Sequence, residues 1–267
     1  MLTSLWRHRA LTRQMVRREV VGRYRGSWLG ILWSFITPVL MLAVYTFVFG
    51  VVFQARWNTG TAGVGSDNKL EFALVLFAGL IVFNLFAECI TRAPGIILAN
   101  VNYVKKVIFP LEILPWVSLG SALFHAGISL AVLIIGLWTL GFGVTPMALL
   151  LPLLLLPYLL LIMGVSWFLA SLGVFVRDIG QVVGMAMTVM MFLSPIFYPA
   201  SALPEGIREW LFINPVTLII EQTRAVLIWG QAPDWCELGL YTLVALLVAW
   251  SGFFWFQKTR RGFADVL

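Results

Sequence analysis

Six stretches of this chain are each apolar over enough residues to cross a lipid bilayer, and this constrains the fold more than any other feature. They are Trp28 to Phe53, Phe72 to Cys89, Ile113 to Leu140, Met147 to Val176, Ile179 to Leu203 and Leu238 to Phe256. A hydrocarbon core about 30 Å thick needs about 20 apolar residues of helix at 1.5 Å rise per residue. Only 11% of the 267 residues are charged, against roughly a quarter in an average soluble domain. The expected fold class is an all-α integral membrane protein with six transmembrane helices. The third and fourth spans are joined by "GFGVTP", a tight turn whose Gly and Pro cannot continue a helix.

Six spans put both termini on one side, and the positive-inside rule chooses the side. With cytoplasmic termini, 14 of the 18 Lys and Arg residues face inward, leaving Arg56, Lys69, Arg208 and Arg224 outside. Cys89 and Cys236 then lie near opposite faces, too far apart for a disulfide. They also lack ligand-like spacing with His8 or His125, so no metal site is expected. A cleavable signal peptide is not expected either, because the first apolar run is much longer than the roughly 7 to 15 residues of such a segment.

Between the fifth and sixth spans, "IREWLFINPVTLIIEQTRAVLIWG" contains two apolar stretches split by Asn214 and Pro215. Each is too short to cross, which favours a re-entrant or interfacial helical hairpin. Glu221 and Arg224 are three residues apart there and can pair on one helical face.

The N-terminal segment reads as an amphipathic helix lying on the membrane: Leu11, Met15 and Val20 share one side, while Arg9, Arg13 and Arg17 form an i, i+4 ladder. A nucleic-acid arm is implausible beside six spans. Anchoring to anionic lipid explains the basic run at about 1 kcal/mol per residue near the surface. The first 68 residues, however, contain arginine and no lysine. Guanidinium groups grip phosphate oxygens through paired hydrogen bonds, whereas lysine is a point charge.

No stretch matches the phosphate-cradling G-x-x-x-x-G-K-[ST] pattern. If ATP powers transport here, another chain hydrolyses it. His125 is the one ionisable residue well inside a span, with Glu88, Glu112, Arg177 and Asp178 at cytoplasmic ends. A proton relay is disfavoured, since a lone polar residue in a bundle more often bonds to a neighbouring helix.

The loop from Cys89 to Pro115 is longer than two spans need, so it is either a surface helix with a basic flank or a docking helix for a soluble partner. Tyr45, Phe49 and Phe53 recur at i, i+4 near the outer end of the first span. They either line a channel, where sugar rings pack on aromatic faces, or pack against lipid and helices. "MAMTVMMFLSPIFYP", holding Met187 and Met191, suits a pore wall or dimer interface, with core filling as the alternative.

Six motifs in order extend across nearly the whole chain: "RYRGSWLGILWSFITP", "NVNYVKKVIFPLEILP", "FVRDIGQ", "SPIFYP", "INPVT" and the tail "FQKTRRGFADVL". In these the chain resembles the membrane-spanning subunit of ATP-binding-cassette exporters of bacterial surface polysaccharides. The resemblance is closest to O-antigen exporters, with capsule and teichoic-acid permeases as relatives. It implies a homodimer in the bacterial inner membrane, bound to two cytoplasmic ATPase subunits that hold ATP and Mg, while this chain binds no cofactor, metal or nucleic acid. It implies a polysaccharide substrate carried on a polyprenyl diphosphate lipid.

The resemblance also implies a layout. Residues 1–27 form the interface helix, 28–203 spans one to five with a coupling loop at 90–112, 204–237 the outer gate hairpin, 238–256 the last span and 257–267 a cytoplasmic tail. Asn100, Tyr103, Lys105, Lys106, Phe109 and Pro110 match the coupling helix that docks into the ATPase. Asn214, Pro215, Glu221 and Arg224 match the outer gate. Arg23 and Arg25, with Arg17 and Arg18 beside them, are expected at the entrance where the diphosphate headgroup is received; Tyr45, Phe49, Phe53, Met187 and Met191 are expected to line the channel. A drug or small-lipid exporter of the same architecture is a second reading. A polyprenyl-phosphate glycosyl- or phosphotransferase is a third, weakened by the lack of a close carboxylate pair in the sequence.

Overall fold

In the computed structural model, residues 6–52, 69–105, 109–200, 204, 206, 211 and 213–267 are described, and among them every regular element is helical. An N-terminal helix α1 (Arg9–Tyr24) leads through a 3-10 turn at Gly30–Leu32 into α2 (Trp33–Tyr45), which continues as a π-helix over Thr46–Val52. Then follow α3 (Lys69–Arg92), the short α4 (Val101–Lys105), α5 (Leu114–Thr139), α6 (Leu151–Phe175), α7 (Ile179–Leu193), α8 (Thr217–Leu227), α9 (Trp235–Thr259) and a last turn α10 (Phe263–Val266).

Among the described residues, five helical stretches are long and apolar enough to cross a membrane: Gly30–Phe49, Leu70–Gly95, Leu111–Thr139, Pro146–Phe175 and Trp235–Val266. Four match expected spans within a few residues, and the last continues about ten residues beyond the expected Phe256. The fifth expected span, Ile179 to Leu203, has no single helix to match it, because α7 stops at Leu193. Its 15 residues reach only about 22 Å of the roughly 30 Å core. At this end Pro195 disfavours the helical region for the residue before it, and Ser194 is extended at φ −92°, ψ 148°.

Turn chemistry marks the other boundaries. At the end of α5, Gly141 takes φ 83°; Phe142 N donates to Leu137 O at 3.0 Å and Gly141 N to Trp138 O at 3.3 Å. These bonds satisfy carbonyls that the helix end would otherwise orphan. Asp234 caps α9 by accepting from Cys236 N at 2.9 Å and Glu237 N at 3.1 Å.

The bundle is organised around α3, which touches α2, α5, α6, α7 and α8 and is mostly apolar and buried, as a helix at the centre of a bundle is. Lipid tails are as apolar as leucine, so helix association here depends on close fit and interhelical hydrogen bonds. Tyr158 on α6 donates to Val82 O on α3 at 2.9 Å, and Trp167 Nε1 donates to Glu112 O at 3.1 Å. The longest interface joins α6 to α9 through facing glycines: a Cβ on Gly164 would lie 2.5 Å from Val248 O, and one on Gly252 would meet the backbone of Gly164. In the same way Gly173 admits the backbone of Pro94.

Candidate functional site

Helix α1 buries Thr12, Met15 and Val20 and leaves Arg9, Arg13 and Arg17 exposed, the two faces its sequence pattern describes. It packs across α5, where Gly120 leaves room for Val16: a Cβ there would lie 2.6 Å from Val16 Cγ2. This crossing brings the end of α1 to a cavity of about 260 Å³ between α1, α2, α3 and α5. Its polar lining comes from Arg23, Tyr24, Ser34, Thr37, Tyr45, Asn84, Glu88, His125 and Ser129.

A charge network forms the inner edge of the cavity. Arg23 Nη2 donates to Glu88 Oε1, and Arg23 Nη1 lies 3.1 Å from His125 Nδ1. Guanidinium nitrogens only donate, so Nδ1 is the acceptor in this contact. Glu88 Oε1 also lies 3.5 Å from His125 Nδ1 and 3.7 Å from Arg92 Nη1. Arg92 Nη2 in turn donates to Glu19 on α1. His125, read from the sequence as bonding within the bundle, meets the amphipathic helix. Glu19, Glu88 and Arg92 carry no motif that marked them; the one available signal was the i, i+4 spacing of Glu88 and Arg92 at the end of α3.

The four expected headgroup arginines therefore differ. All four are exposed, but Arg23 is held at the edge of the cavity by Glu88 and His125 and Arg18 Nη2 donates to Tyr103 Oη at 3.1 Å. Tyr103 stacks on Phe109 with ring centroids 4.4 Å apart, so the segment expected to dock on a partner is tied to α1. Asn100 bonds locally to Ile96 O at 2.9 Å, Lys105 is exposed and Pro110 half-buried. Lys106 lies outside the described residues.

Among the aromatic and methionine candidates, Tyr45 reaches the cavity. Phe49 stacks between Phe72 at 5.5 Å and Phe197 at 6.1 Å, and Met187 and Met191 pack half-buried against the core. The π-turn at Thr46 also breaks the straight i, i+4 row that an α-helix would give. Phe53 lies outside the described residues.

Of the expected outer hairpin, most of the first limb lies outside the described residues; the second is α8. Asn214 Nδ2 donates to Ser194 Oγ at 2.8 Å, and its Oδ1 accepts from Val216 N at 3.0 Å. Pro215 O accepts from Tyr241 Oη at 3.0 Å. Arg224 is wholly buried. Its Nη1 donates to Glu221 Oε1 at 3.0 Å, the pair that the spacing anticipates, and to Pro195 O at 2.6 Å. Its Nε donates to Val75 O at 3.0 Å and its Nη2 to Ile196 O at 3.0 Å. Sequence reasoning missed the glycine that makes this possible: a Cβ on Gly79 would lie 2.7 Å from Arg224 Nη2.

A bundle of apolar spanning helices with a polar, arginine-edged cavity beside an interface helix is the membrane component of a transport system. The chain belongs to the ABC-2 type transporter family, whose sequence profile matches residues 10–228. It is similar to the O-antigen export system permease protein RfbA of Myxococcus xanthus, at 27% identity over 99% of this chain and 98% of that protein. RfbA of Klebsiella pneumoniae is 24% identical over 95% and 93% of the two chains. The polysialic acid transport protein KpsM of Escherichia coli is 24% identical over 86% and 87%. The protein is thus a transport permease rather than an enzyme, and ATP hydrolysis belongs to a separate subunit.

Proposed function

We propose that this chain is the permease subunit of an ATP-driven exporter that moves a polyprenyl-diphosphate-linked O-antigen polysaccharide across the bacterial inner membrane. It works as a homodimer with two ATPase subunits and with both termini cytoplasmic. The end-to-end similarity to O-antigen export permeases carries this reading. A capsule polymer is the second reading, favoured by the similarity to KpsM over most of both chains.

In this reading α7 and the chain after it complete a sixth crossing, and α8 is the buried limb of a re-entrant hairpin. Its Arg224 meets Val75, six residues inside the start of α3 at Lys69, a depth of about 9 Å along a helix. Non-spanning backbone at such depth is tolerated where protein encloses it, and most of α8 is buried. Arg23 and Arg25, with Arg17 and Arg18 beside them, receive the diphosphate at the cytoplasmic entrance. Tyr103 and Phe109 belong to the segment that docks on the ATPase.

Deleting the gene is expected to leave polyprenyl-linked polymer inside the cell, with surface polysaccharide restored by the wild-type copy. Unchanged surface polysaccharide in a strain with no other exporter refutes the proposal. The double variant Arg23→Lys, Arg25→Lys keeps the charge but loses the bidentate fork. It is expected to cut export about tenfold, the loss of one to two charge-assisted hydrogen bonds, while membrane insertion and ATPase assembly are retained. Full export by that variant would reduce the arginines to an anchor.

A further inference from the structure

Glu88 sits between two arginines that compete for the same oxygen. Its Oε1 is bonded to Arg23 Nη2 and is 3.7 Å from Arg92 Nη1. That Arg92 nitrogen is buried and has no hydrogen-bond partner among the described residues. Arg92 is itself held in place, because its Nη2 bonds to Glu19 on α1. Oε1 of Glu88 is thus hydrogen-bonded to one guanidinium and within ion-pair distance of a nitrogen of the other that has no hydrogen bond among the described residues.

We infer that Glu88 is a displaceable counter-ion: a phosphoryl anion entering the cavity takes Arg23, and Glu88 swings to Arg92. Glu88 neutralises Arg23 and spares the cavity an unpaired charge, which is costly where both side chains are largely withdrawn from water. A phosphate group offers more acceptor oxygens and more charge than one carboxylate and can engage both guanidinium N–H edges. The carboxylate then moves a short distance to Arg92 Nη1 and satisfies a buried donor that lacks a partner, so displacement leaves neither charge unpaired. His125 is the positioning residue: its Nδ1 accepts from Arg23 Nη1 at 3.1 Å and keeps the guanidinium aimed into the cavity after Glu88 leaves.

The consequence reaches past the cavity. Arg92 is tied to Glu19, and Arg18, one residue before it, is bonded to Tyr103 of the docking segment. Transfer of Glu88 therefore changes the charge balance at the residues that hold α1 to that segment, which provides a route from an occupied cavity to the ATPase side.

The inference rests on the reading of Arg23 as the headgroup receiver. It is tested on the permease–ATPase complex in nanodiscs of zwitterionic lipid, titrated with farnesyl diphosphate, inorganic pyrophosphate and farnesol. Glu88→Gln removes the competitor and is expected to tighten farnesyl diphosphate binding about three- to tenfold. Arg92→Gln removes the alternative berth and is expected to weaken it by a similar factor, and Arg23→Gln abolishes it. Farnesol binding is unchanged throughout. Pyrophosphate binding as tightly as farnesyl diphosphate, with the same response to Glu88→Gln, supports the switch and assigns it to free phosphate rather than lipid. Glu88→Gln that weakens or leaves binding unchanged in a monodisperse complex overturns the inference, as does an Arg92→Gln complex with wild-type affinity. Absence of farnesyl diphosphate binding to the wild type overturns it too, while export in the deletion strain separately decides the proposed function.

Discussion

Arg224→Ala is expected to cost about 3–5 kcal/mol, the range for removing one partner of a buried, hydrogen-bonded charge, and so to leave little folded permease after detergent extraction. The guanidinium bridges three parts of the chain: Val75 on α3, the turn after α7 at Pro195 and Ile196, and Glu221 on its own helix. Those two turn carbonyls follow the proline-broken end of α7, so no further helical turn supplies their donors. Truncation strands several buried acceptors at once, each worth about 1–3 kcal/mol when unsatisfied. Arg224→Lys keeps the charge, yet a single ammonium cannot reproduce the planar fork that reaches both elements; it is expected to recover less than half the loss. Gly79→Ala pushes on the same guanidinium from α3 and is expected to cost less than Arg224→Ala, because the hydrogen bonds are strained rather than removed. Thermal unfolding in detergent, with the monodisperse fraction by gel filtration, measures all three. An Arg224→Lys protein as stable as wild type would show that charge alone holds α8.

Gly252→Leu is the second large effect. Overpacking a core costs about 1–3 kcal/mol where side chains can yield; here the obstacle is the backbone of Gly164 on the facing helix, which cannot. The expected loss is at or above the top of that range, and α6 and α9 part rather than adjust. Gly239 lies on the same helix α9 with nothing within 4 Å of a Cβ, so Gly239→Leu controls for the loss of a helical glycine and is expected to be near neutral. Equal loss from both variants, read by the same unfolding assay, would refute close backbone packing as the source of stability.

The ends of α3, α5 and α6 were legible in the sequence because a turn residue or a change of polarity marks each. The turn at Gly141 falls within "GFGVTP", where the sequence places a tight turn. The end of α7 was not, although Pro195 stands in plain view. Proline is tolerated inside membrane helices when neighbours satisfy the freed backbone, as Pro38 and Pro157 show within α2 and α6. Whether a given proline kinks a helix or ends it depends on what surrounds it. At Pro195 the surroundings include Arg224, almost thirty residues later, which takes the carbonyls a continued helix would have used.

The candidate site divides in the same way. The arginine-only N-terminus suits α1 to phosphate because guanidinium chemistry is a property of residue type, and that much needs no structure to be read. That Arg23 reaches a cavity and Arg18 reaches Tyr103 follows from where α1 packs across α5, at Gly120. Glu88 likewise reads as an ordinary charge at a span's end until α1 and α5 bring Arg23 and His125 against it.

The sequence by itself determined that the chain is a multi-span helical membrane protein with an amphipathic N-terminal helix and no nucleotide loop, since apolar run length and local pattern need no partner to be read. Only the tertiary structure decided that α7 stops short, that Arg224 is a buried clamp rather than a loop charge, and that Glu88 stands between two arginines. Each of these depends on groups far apart in the chain meeting in a medium where an unpaired polar group is too costly to leave alone.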